Sequence, residues 1–118
     1  MTQREQKVYN YYHSSAHNCL KFTEEPTEEA VLLKNVKELL DLLGALIVRE
    51  SAATKRGVSD LIVCYRGRFV ALETKDDTGV PSPLQNQFIQ RVIEAGGKAA
   101  VIRTVEQAFN LLLGATET

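Results

Sequence analysis

In this chain of 118 residues, two carboxylates and an amine, Asp60, Glu73 and Lys75, fall where they could share one reactive centre. Two β-prone runs, Leu61 to Tyr65 and Phe69 to Thr74, flank Arg66-Gly67, a dipeptide suited to a two-residue hairpin turn. With that turn Tyr65 faces Arg68, and counting outward along both strands brings Asp60 opposite Glu73. Side chains alternate across a sheet, so Ile62, Cys64, Phe69 and Ala71 share one face with Asp60, Glu73 and Lys75, and the charges collect at one end of an apolar face. Opposed Cβ atoms lie about 4.5–5.5 Å apart, and two carboxylates that close repel or take up a proton unless positive charge lies between them. A divalent cation resolves the conflict, because hard ions such as Mg²⁺ take one or two carboxylates together with waters and a substrate phosphate. Lys75 could then orient the attacking water or stabilise charge growing on that phosphate. A surface ion pair of Lys75 with Glu73 or Asp60, with Asp60 as a turn residue before a strand, accounts for the same spacing equally well. A turn one residue longer would also send Asp60 to the other face.

Thr54-Lys55-Arg56-Gly57 precedes this cluster on a glycine-containing loop. Lys55 and Arg56 could hold the phosphates that flank a scissile one, or stand as two solvated charges. Arg49, at the end of an earlier β-prone run, is a further candidate for a DNA contact or a cap on the sheet edge. Fourteen Lys and Arg against fifteen Asp and Glu give a net charge of −1. Bulk charge therefore does not hold this chain to nucleic acid, and any such contact is local.

The elements that must position these residues are legible around them. Thr27 as N-cap with Glu28 and Glu29 in the first turn opens a helix; Leu32, Val36, Leu39 and Leu43 recur at helical spacing, and Gly44 ends it. Ala45 to Arg49 is a first strand, followed by the hairpin. Ser82 as N-cap, Pro83 at the first helical position and Gln85 at the third make a capping box for a second helix, with Leu84, Phe88 and Val92 along one face. Gly96-Gly97 stops it. Ala99 to Arg103 is a fourth strand, and Thr104 opens a last helix carrying Phe109, Leu111 and Leu112. The passage from Phe69 to Arg103 is a crossover unit, which predicts a parallel pair and hence a mixed four-stranded sheet flanked by helices, in the order α-β-β-β-α-β-α.

Length and a 44% hydrophobic content fit one globular domain. Residues 27–118 form that domain, and residues 1–26 read as a polar N-terminal arm. Tyr9, Tyr11, Tyr12, His13 and His17 cluster in the arm, which is expected to pack on the surface or on a second copy; two histidines four apart on a helix could alternatively bind a metal. Cys19 and Cys64 are read as free thiols. Neither a membrane-length apolar run nor a signal-peptide core is present, and an intracellular, cytoplasmic protein is expected.

Gly57-Val58-Ser59-Asp60, Leu61-Ile62-Val63, Gly67 to Lys75, Gly79-Val80-Pro81-Ser82-Pro83-Leu84-Gln85 and Ala95-Gly96-Gly97 together resemble the VRR-NUC family of PD-(D/E)xK nucleases, over about Glu29 to Leu113. The resemblance implies a restriction-endonuclease-like α/β core and a Mg²⁺- or Mn²⁺-dependent phosphodiesterase. It implies Asp60 and Glu73 as metal ligands, the Thr74 carbonyl as a further ligand, Lys75 as catalytic lysine and Gln85 at the border of the site. Gln85 as a helix cap is compatible with that role. A first-helix glutamate near the metal corresponds to Glu29, with Glu28 as competitor. Ser59 departs from the family's usual proline, which loosens the entry to the site without removing a ligand.

The expectation is an endonuclease acting on DNA by in-line attack of water, selective for branched structures such as Holliday junctions. Two symmetric cuts in a junction suggest a homodimer, with the tyrosine-bearing arm or the last helix as its interface. The alternatives are a non-specific or sequence-specific nuclease of the same fold, a non-catalytic nucleic-acid-binding module that functions in chelator, and a small-ligand sensor domain.

Overall fold

A computed structural model of the chain describes residues 1–50 and 60–114. Its elements are helices α1 (Gln3–His13), α2 (Ala16–Thr23) and α3 (Glu29–Leu43), strands β1 (Leu46–Glu50), β2 (Leu61–Tyr65) and β3 (Arg68–Thr74), helix α4 (Pro83–Glu94), strand β4 (Lys98–Ile102) and helix α5 (Val105–Leu113). The sheet runs β1-β2-β3-β4, with β1–β2 and β2–β3 antiparallel and β3–β4 parallel. This is the mixed four-stranded sheet flanked by helices that the sequence predicts.

The hairpin has the expected turn. Arg66 (φ 51°) and Gly67 (φ 77°) both take the left-handed conformation that a primed two-residue turn requires. Tyr65 accordingly pairs with Arg68, and the register continues through Ile62–Ala71 to Leu61–Leu72. Alternation then divides the sheet. Leu61, Val63, Tyr65, Val70 and Leu72 face the larger core, with Leu32, Val36, Leu39, Leu40 and Leu43 of α3 and Ala108, Phe109 and Leu112 of α5. Ile62 and Ala71 face the other way, under Val92, Phe88 and Ile89 of α4. Leu84, expected on that buried face, is 49% exposed, because Gln85 rather than Leu84 turns toward the sheet.

The N-terminal segment departs from expectation. Residues 3–23 form two helices that belong to the larger core: Tyr12 and Phe22 are fully buried, stacked at 4.9 Å between ring centroids, and Phe22 meets Phe109 edge-on at 5.5 Å. Glu5 is buried as well. Its Oε1 accepts from the Thr2 backbone N–H in a capping box, and its Oε2 accepts from the Tyr65 hydroxyl at 2.6 Å, which ties α1 to the hairpin. The expectation that the tyrosine-bearing arm packs on the surface or on a second copy is thus corrected for Tyr9 and Tyr12, while Tyr11 remains 45% exposed. Aromatic stations on two short polar helices supply too weak an apolar period to be read as core, although three large rings bury a great deal of surface.

A second correction concerns α3. Its N-cap is Glu28, in extended conformation and without a side-chain cap bond, so Thr27 lies outside the helix and Glu29 opens it. No helix among the described residues is long and apolar enough to cross a membrane.

Candidate active site

β3 ends where the chemistry gathers. Glu73 is the penultimate residue of β3 and only 1% exposed, at the end of the face that α4 covers. Its Oε2 accepts from Gln85 Nε2 at 2.8 Å and lies 3.7 Å from Lys75 Nζ, while its Oε1 is buried and makes no well-formed hydrogen bond among the described residues, the Asp60 backbone N–H lying near enough only to ease its charge. Burial, reinforced by the nearby charge of Asp60 and opposed by Lys75, pushes the Glu73 carboxyl up to about 7.

Gln85 fills both of its expected places. At the third position of α4 its Oε1 accepts from the Ser82 backbone N–H at 2.8 Å, and its own N–H donates to Ser82 Oγ at 3.1 Å. The amide orientation follows from this cap, because only the oxygen can face the Ser82 N–H; the Nε2 group is then left to donate to the carboxylate. A helix cap thereby fixes which oxygen of Glu73 is engaged and which is not.

Asp60 stands just before β2. Its Oδ2 accepts two bonds from Thr74, from the backbone N–H at 2.9 Å and from Oγ1 at 2.5 Å. The carboxylate takes the place that a β2 carbonyl would hold one step further along the ladder, so it closes the sheet edge as well as lining the site. The Thr74 hydroxyl is a contact that alternation alone hides, since Thr74 points to the opposite face from Glu73 and is fully buried.

Glu29, exposed in the first turn of α3, is near enough that its carboxyl is raised, by desolvation first, with Lys75 opposing and Asp60 and Asp76 adding to the rise. Glu28 caps the helix instead. Arg49 is exposed on edge strand β1, where an irregularity between Ile47 and Arg49 puts it opposite Ile62. Alternation would otherwise have kept it on the face of Ile47, so the bulge turns Arg49 toward the face that carries Glu73. Lys55, Arg56 and the departing Ser59 lie outside the described residues.

No family model and no curated protein matches the chain. Among solved structures it superposes on a chain described as a VRR_NUC domain, with a TM-score of 0.61 and 29% identity, over 75% of this chain and 97% of the other. This chain has the fold of a VRR-NUC domain. The share covered, almost the whole of the other chain, leaves room in this one for elements beyond it.

The residue chemistry of this VRR-NUC-like domain fits a hard divalent cation. A buried carboxylate oxygen without a well-formed hydrogen bond is costly, and a cation beside it removes both the unsatisfied lone pairs and the repulsion from Asp60. Among the described residues no group of three or more His, Cys, Asp and Glu forms a ready-made metal cage. Two carboxylates plus waters and a phosphate is the usual Mg²⁺ arrangement, which asks for no such cage.

Proposed function

We propose that the VRR-NUC-like domain of this chain is a Mg²⁺- or Mn²⁺-dependent endonuclease that hydrolyses DNA phosphodiester bonds. The observation that carries this reading is Glu73 Oε1, a buried carboxylate oxygen without a well-formed hydrogen bond among the described residues, whose sister oxygen is held by Gln85 beside Lys75. Asp60 and Glu73 would hold the cation, with the Thr74 carbonyl and Glu29 completing its surroundings. The cation supplies Lewis acidity at the phosphate and lowers the pKa of water. Lys75 places positive charge where the phosphate gains negative charge in an in-line displacement, Gln85 keeps Glu73 oriented, and Thr74 keeps Asp60 in place. Lys55, Arg56 and Arg49 serve as contacts to flanking phosphates, the local positive charge that a chain of net charge −1 needs.

The finer reading is selectivity for branched DNA such as Holliday junctions by a homodimer, since one domain offers one such site and a junction asks for two symmetric cuts. A labelled four-way junction, a linear duplex and a single strand of the same sequence, each incubated with Mg²⁺, with Mn²⁺ and with chelator, test both levels. Metal-dependent cleavage with the junction fastest is expected. Cleavage of all three at equal rates would remove the branched preference, and binding unchanged by chelator without any cleavage would make the domain a binding module.

A further inference from the structure

Lys75 has a four-carbon stem with much rotamer freedom to lose, so an ammonium held at one place needs something to hold it. The structure supplies a bracket. The Lys75 backbone continues the ladder by donating its N–H to the Ile102 carbonyl at 3.1 Å, and its side chain is only 18% exposed. Over that side chain lies Gly79, so near that an added Cβ would meet Lys75 Cδ at 3.2 Å and Asp76 Oδ1 at 3.0 Å. Close approach, and no left-handed backbone angle, is what Gly79 contributes.

What brings Gly79 there is the Asp76 carboxylate. Its Oδ1 accepts from the Gly79 N–H at 2.6 Å, the Thr78 N–H at 3.1 Å and Thr78 Oγ1 at 3.2 Å, closing the turn over residues 76–79. The turn is tied to the sheet from the far side: Arg103, just after β4, donates from Nη1 to the Asp76 carbonyl. Arg103 is itself fixed, because its backbone N–H donates to Gln107 Oε1 at 2.7 Å in the first turn of α5. A continuous chain of contacts thus runs from the β4–α5 junction through Arg103 and Asp76 to Gly79 and the Lys75 stem.

We propose that Asp76 and Arg103 are positioning residues that, through Gly79, hold the Lys75 ammonium at the Glu73 carboxylate. The inference rests on the nuclease reading for its catalytic consequence only; the restraint on Lys75 is a property of the free protein. Two measurements separate the two. The first is side-chain NMR relaxation of the Lys75 ammonium in the metal-free, DNA-free protein. An ordered ammonium is expected in the unmodified protein and in Asp76→Asn, whose amide oxygen still accepts the three bonds, and a mobile one in Asp76→Ala. The second is cleavage kinetics with Mg²⁺, where Asp76→Ala and Gly79→Ala are each expected to lower kcat by about tenfold to a hundredfold, the usual result of a reacting group displaced by about 1 Å. KM stays within about twofold and Asp76→Asn restores the rate, which a general loss of folding would not give. Arg103→Ala is expected to act in the same direction, and Arg103→Lys to recover part of the effect.

A Lys75 as ordered in Asp76→Ala as in the unmodified protein overturns the proposal, as does unchanged kcat in both Asp76→Ala and Gly79→Ala. Should Asp76→Ala fail to fold, Gly79→Ala decides, since it keeps the Gly79 N–H and the Asp76 carboxylate in place while its Cβ crowds both Asp76 Oδ1 and the Lys75 stem. If the unmodified protein cuts no DNA but Lys75 loses its order in Asp76→Ala, the restraint stands and the nuclease reading falls.

Discussion

Glu73→Gln should stabilise the metal-free protein above neutral pH while abolishing its cleavage. Glu73 is an acid whose carboxyl is raised in the folded state from 4.5 to about 7. Between those values the folded protein keeps a proton that the unfolded chain releases, so stability falls as pH rises through this window and stays lower above it. At about 1.4 kcal/mol per pKa unit the loss is about 3 kcal/mol. Glutamine keeps an acceptor for Gln85 Nε2 and carries no charge, so the variant escapes the loss, less about 1 kcal/mol for its own unsatisfied amide hydrogens. The assay is urea unfolding of both proteins in chelator from about pH 5 to pH 8.5. Taking the difference between the two cancels every other titrating group. That difference should move by about 2–3 kcal/mol in favour of the variant across the window, equivalent to a shift on the order of 10 °C in Tm. A difference that stays flat with pH would mean that Glu73 ionises in the fold as freely as in water, and that its burial carries no cost.

Four further outcomes are expected. Asp60→Asn and Lys75→Ala should each abolish cleavage and leave the circular dichroism spectrum unchanged, because both side chains lie at the rim of the sheet; turnover at the unmodified rate by either would remove it from the site. Millimolar Mg²⁺ should raise the Tm of the unmodified protein above pH 7 and leave Glu73→Gln nearly unmoved, since binding to the folded state alone adds RT ln(1 + [L]/Kd), about 2.7 kcal/mol at a hundredfold excess over Kd. Tyr12→Phe should leave stability unchanged or raise it by about 1 kcal/mol, because the buried Tyr12 hydroxyl has no hydrogen-bond partner among the described residues, whereas Tyr12→Ala should cost about 3–5 kcal/mol as a core truncation. Light scattering on the DNA-free protein should give twice the mass of one chain, and a single-chain mass would leave pairing to the DNA.

The hairpin and what hangs on it are legible in the local sequence. Arg66-Gly67 suits a two-residue turn, such a turn fixes the register, and period-two alternation then assigns every side chain of β2 and β3 to a face; the left-handed Arg66 and Gly67 exclude the longer turn that the sequence left open. The capping box at Ser82 and Gln85 and the parallel crossover to β4 are local in the same sense. Tertiary structure alone decided the rest, because it depends on which surfaces meet. The helical stations of α1 and α2 are too polar to announce a core, and only the rings of Phe22 and Phe109 coming together make Tyr12 a buried residue. Glu28 and Glu29 are adjacent and chemically alike, so only the start of α3 separates the cap from the residue near the carboxylates. The Thr74 hydroxyl reaches Asp60 from the face of β3 opposite to the one the register count assigns to the site, and the Arg103 donor on Asp76 joins positions 27 apart across the β4 crossover, where no register count applies. The buried Oε1 of Glu73 is likewise a tertiary product, since a carboxylate becomes costly only where α4, the sheet and Asp60 together exclude its water.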